Sequence, residues 1–185
     1  MLEIPDDLHP DCLSVAWLLG RWEGAGVGDY PTVEPYRFGQ EIVFTYVPHQ
    51  PHLTYVSRTW VLDEDGHVIE PSDHETGYWR PQADGSAEVV MSHASGIVEI
   101  YLGQVEPAKI ELATRGVLKT ETAPDYRLGH RLYGLVKGRL MYVSEVSAEG
   151  EQLQPRMSAE LQRVAGATEA REPTLTPTGM IQGSG

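Results

Sequence analysis

Few side chains in this 185-residue sequence combine residue type and spacing in a way that could do chemistry. His49-Gln50-Pro51-His52 puts two imidazoles close together, but in a Pro-rich link that reads as a solvated loop rather than a metal site. Asp63-Glu64-Asp65 ends at Gly66 and reads as a hairpin tip, without the ligand spacing of a calcium loop. Gly24-Ala25-Gly26-Val27-Gly28 has clustered glycines, yet no strand leads into them and no helix follows, so they do not form a phosphate loop. Cys12 is the single cysteine. It cannot close an intramolecular disulfide, and with nothing beside it to lower its pKa it reads as a packing residue. Neither an HExxH pair nor a GxSxG elbow occurs. His93 and His130 keep a chemical reading, since a neutral imidazole can ligate a metal.

The apolar pattern of the chain gives the strands that carry these side chains. Residues 1–10 are polar with Pro5 and Pro10 and form a flexible lead-in. Asp11 can cap one short helix over Cys12 to Leu19, ended by Gly20. From there the chain repeats short runs rich in Val, Ile, Tyr, Thr and Trp: 20–28, 36–47, 53–62, 67–70, 75–80, 87–93, 97–106, 109–114, 126–136, 139–147 and 157–164. Asp65-Gly66, Asp84-Gly85 and Lys137-Gly138 supply the positive φ that tight hairpins need. Short links favour antiparallel meander pairing. About ten such strands predict an all-β, up-and-down barrel of the lipocalin-like (calycin) kind, spanning residues 11–165, with a disordered tail over 166–185.

Alternation assigns faces. Ala87, Val89, Met91 and His93 share one side of their strand, and Leu128, His130, Leu132, Gly134 and Val136 one side of theirs. Both histidines therefore stand among apolar residues. At the last strand, Met157, Ala159 and Leu161 form the apolar set, so strict alternation turns Arg156 outward unless Pro155 disturbs the pleat.

The charge excludes some partners. With 27 acidic against 14 basic residues, the net charge of -13 disfavours nucleic acid and anionic membranes. No apolar stretch is long enough to span a bilayer and the N-terminus does not read as a secretory signal, so a cytoplasmic protein is expected.

The GXWXGXG motif at Gly20, Trp22, Gly24 and Gly26 suits a first strand whose tryptophan plugs the barrel base while the glycines let it approach its neighbours. Together with GDYPT at 28–32, YRFGQEIVF at 36–44, ETGYWRP at 75–81, SGIVEI at 95–100 and LQPRMSAEL at 153–161, it resembles the nitrobindin family of ferric-heme β-barrels. The resemblance covers about residues 13–165. It implies a ten-stranded barrel with heme b near one end, a largely ferric iron, nitric oxide binding and isomerisation of peroxynitrite to nitrate. It also implies an iron-ligating histidine where this chain has Arg156, and a place for Thr32 in the family's Tyr-Pro-Thr segment near the heme pocket.

Three readings follow from the arginine. The barrel has lost iron ligation and needs no cofactor; or heme b binds through another histidine, His93 or His130; or Arg156 holds a carboxylate in the same cavity, making the protein a carrier of a small apolar or carboxylated molecule. In the first and third readings the family's isomerase activity is lost.

Overall fold

The computed structural model describes residues 4–167. Ten antiparallel strands close on themselves: β1 (Gly20–Tyr30), β2 (Val33–Tyr46), β3 (Leu53–Leu62), β4 (Val68–Pro81), β5 (Ser86–His93), β6 (Ile97–Glu106), β7 (Lys109–Lys119), β8 (Tyr126–Val136), β9 (Arg139–Ala148) and β10 (Gln154–Ala165). Each strand pairs with the next in sequence, and β1 pairs with β10 to seal the barrel. Among the described residues, no helix is long and apolar enough to cross a membrane.

Two sequence runs, 67–70 and 75–80, are a single strand, β4. Pro71, between the two runs, pairs opposite Trp60 beside an irregularity in the β3–β4 register, where a missing backbone N–H is tolerated. The expected helix is a 3-10 helix over Pro10–Leu18. Its cap is His9 rather than Asp11, the imidazole Nδ1 accepting from the Asp11 amide at 3.2 Å. Where the lead-in meets the barrel, Leu8 is buried in the core and the Tyr46 hydroxyl donates to Asp7 at 2.8 Å. Ala167 is also buried. Residues 168–185 of the expected tail lie outside the described residues.

The interior is layered along the barrel axis. At the closed end Leu18, Leu19 and Trp22 are fully buried beneath the helix. The Trp22 indole donates to the Leu18 carbonyl at 2.7 Å, and the Arg163 guanidinium covers the ring with its carbon 4.2 Å from the centroid. Arg163 also donates to the Trp17 and Leu19 carbonyls, tying the helix to β10. Above this lies an aromatic layer in which Trp79 meets Phe44 edge-on at 5.3 Å and Tyr133 at 5.2 Å. Gly24 lets β1 and β10 come this close, because a Cβ there would overlap the Glu160 carbonyl. The third layer is polar, and it floors the open end.

Candidate functional site

The polar layer is built from inward positions of β4, β5, β6 and β8. Arg131 is 6% exposed and holds Glu75 with both arms, Nη2 to Oε1 at 2.7 Å and Nη1 to Oε2 at 2.9 Å. The Tyr55 hydroxyl donates to the same Glu75 oxygen at 2.9 Å, and the Arg131 Nε donates to Tyr101 at 3.1 Å. Glu99, fully buried, accepts from Tyr126 at 2.6 Å and meets His93 Nε2 at 2.8 Å. The other ring nitrogen of His93 faces Glu75 at 3.4 Å and Asp73 at 3.8 Å.

Each shift in proton affinity has a local cause. Burial would raise the Glu75 carboxyl, but the charge and hydrogen bonds of Arg131 outweigh it and hold the group at about 2. Burial would lower His93, but its contacts with Asp73 and Glu99 and the charge of Glu75 raise it to about 9. His93 is therefore a cation at neutral pH, both nitrogens carrying protons. Burial pushes the Tyr101 and Tyr126 phenols well up, leaving them neutral donors.

Above this floor a cavity of about 270 Å³ opens to solvent, with Tyr36, Asp73, His93, Arg131, Arg156 and Met157 among its walls. Arg156 reaches it through a β-bulge. Pro155 pairs with Glu145 and Met157 with Ser144, leaving Arg156 as the extra residue between them. The bulge turns the side chain onto the rim, half-buried, with the guanidinium carbon 5.5 Å from the Tyr30 ring centroid. Among the described residues Arg156, like Arg37, Arg115 and Arg163, has no ion-pair partner, whereas Arg21, Arg58, Arg80, Arg127, Arg131 and Arg139 all do.

The histidines part company. His93 lines the cavity, whereas His130 is on the outer surface, clamped between Glu145 at 2.8 Å and Glu111 at 3.0 Å. The apolar companions that suggested an inward His130, Leu132 and Val136, also face solvent. The inward face of β8 is the one carrying Arg131 and Tyr133, since a fully paired charge can occupy a core position that an aliphatic side chain would otherwise fill. Thr32 lies in the exposed β1–β2 turn, its hydroxyl bonded to Glu149, whose side chain lines the cavity rim. His49 and His52 remain apart from the cavity, His52 packing edge-on against Tyr78 at 5.3 Å.

Glu75, Glu99, Arg131 and Tyr126 were missed as site residues. One signal for them existed: Glu75 is four residues before Trp79 and Glu99 two before Tyr101, the parity of large inward aromatics.

A closed barrel with a plugged base and a polar, open top limits the relatives that fit. A family model described as a THAP4-like, heme-binding β-barrel domain matches residues 11–163. The chain belongs to this nitrobindin-type family. A peroxynitrite isomerase of Nocardioides sp. is 44% identical over 161 residues, covering 87% of this chain and 98% of that protein. A ferric nitrobindin-like protein of Streptomyces griseus is 45% identical over 174 residues, covering 93% and 91%. The crystal structure of Rv2717c from M. tuberculosis superposes with a TM-score of 0.76 at 36% identity, covering 85% of this chain and 99% of that one. Relatives under both names lie at nearly equal identity, so overall similarity does not choose between them. The choice rests on the nitrogens inside the barrel.

Proposed function

We propose that this family member does not ligate heme iron and instead holds a small carboxylate at the open end of its barrel through Arg156. One contrast carries the reading: the inward histidine is spent and the rim arginine is unspent. An iron ligand needs a free nitrogen lone pair. His93 has a proton on each ring nitrogen, each facing a carboxylate. Freeing one would remove the cation closest to Glu99, 0% exposed, leaving only the Arg131 guanidinium 3.8 Å away, a costly step in a low-dielectric layer. Arg156 has no lone pair at any physiological pH, and His130 points away from the cavity. The residues facing the cavity therefore do not suit the group. An unpaired guanidinium on the rim of a 270 Å³ cavity does suit a carboxylate, which it can meet with two parallel hydrogen bonds.

Titration with hemin tests this. The expected result is no defined Soret shift for the wild type and a histidine-ligated ferric spectrum for Arg156→His. A stoichiometric heme spectrum in the wild type that disappears in His93→Ala would overturn it and restore the iron-based chemistry of the family.

A further inference from the structure

The cavity carries a second charge that is only loosely paired, opposite in sign to Arg156. Three carboxylates and two cations meet at its floor: Asp73, Glu75 and Glu99 against His93 and Arg131. That leaves one negative charge in excess. Glu75 is saturated by Arg131 and Tyr55, and Glu99 by His93 and Tyr126. The excess therefore falls on Asp73, whose nearest cation is His93 at 3.8 Å and whose side chain is 41% exposed. One of its oxygens accepts the His74 amide at 2.8 Å, which fixes the carboxylate in place.

Asp73 and Arg156 are close enough to share a neighbour. Tyr36 lies on the same cavity wall, and its phenol feels the charges of both. Glu149 adds a second acceptor on the rim, held by Thr32, while Asp125 is already paired with Lys119 and Arg127. Tyr36, Tyr126, Ile97 and Met157 supply apolar and aromatic wall between these poles. A lone carboxylate would satisfy Arg156 and leave Asp73 exposed to the same ligand's negative charge. A lone amine would do the reverse.

We propose that the ligand is a small zwitterion of the amino-acid type, its carboxylate on Arg156 and its ammonium on Asp73. This rests on the reading of Arg156 as a carboxylate anchor and adds the second pole. The volume admits a molecule of amino-acid size, and the tyrosine rings of the wall offer faces to a cationic nitrogen.

Calorimetric titration of the full chain with the common L-amino acids, in parallel with their N-acetyl and amide forms, tests the proposal. At least one free amino acid should bind, with its N-acetyl and amide forms each about tenfold weaker or worse. Asp73→Asn should weaken the amino acid about tenfold and leave the N-acetyl form within twofold. Arg156→Gln should weaken both. Both side chains are partly exposed, so thermal unfolding of the variants should stay near wild type and separate binding loss from misfolding. N-acetyl forms binding as tightly as their parents would overturn the zwitterion while sparing the carboxylate site. Amides binding as tightly would overturn both, and so would a failure of every amino acid and every N-acetyl form.

Discussion

Arg131 and Glu75 meet inside the barrel through two hydrogen bonds, although they lie 56 residues apart in sequence. The pair joins β4 to β8 across the interior, and everything above it is organised by the need to keep two desolvated charges satisfied.

Removing both members should therefore cost less than the sum of removing each alone. Arg131→Met and Glu75→Gln are each expected to lower unfolding stability by about 3–5 kcal/mol, with the double variant falling short of their sum by 1 kcal/mol or more. Urea unfolding of the four proteins checks this. Strict additivity would mean that the two side chains do not work as a unit.

Stability should depend on pH with a defined shape. His93 is raised from 6.5 to about 9, so its contribution is complete below pH 6.5 and lost as pH rises through 9. Glu75 is lowered from 4.5 to about 2, so its contribution is complete above pH 4.5 and lost as pH falls through 2. A plateau between pH 4.5 and 6.5 is expected, with declines on both sides. His93→Asn should flatten the decline between pH 6.5 and 9 and leave the acid side in place. Thermal melts across that range would contradict the assignment if wild type and variant ran parallel.

Glycines in the strands should respond oppositely to a methyl group. Gly24→Ala pushes a Cβ into the Glu160 backbone and is expected to cost about 1–3 kcal/mol. Gly116→Ala meets open space and should be neutral or stabilising by up to about 1 kcal/mol. Equal effects in chemical denaturation would refute the close β1–β10 approach.

Cys12 is fully buried, and burial first, then Asp11, pushes its thiol up to about 11. A thiol reagent at pH 8 should modify it only at the rate of unfolding, and rapid labelling of the native protein would show that the helix opens locally.

The barrel was legible because its punctuation is local. Lys137-Gly138 has both residues at positive φ, 50° and 79°, as a tight hairpin requires, and Gly66 and Gly85 do the same at their turns. The polar layer was not legible because it is a long-range property. Alternation shows that β8 has two faces but not which is inside, and the aliphatic face of Leu128, Leu132 and Val136 looked like the core. It lies outside because Arg131 finds Glu75 on a strand far away in sequence, a pairing that no local pattern carries. For Arg156, alternation left two orientations open at Pro155, and a single extra residue after Pro155 selects between them.

That extra residue makes position 156 something like a socket. Its side chain is aimed by the backbone register on either side, with Pro155 against Glu145 and Met157 against Ser144, rather than by what the side chain is. A change of one residue there can replace the reagent presented to the cavity without shifting a single pair of the β9–β10 ladder. In such a barrel, the chemistry at the mouth and the architecture that holds it can diverge independently.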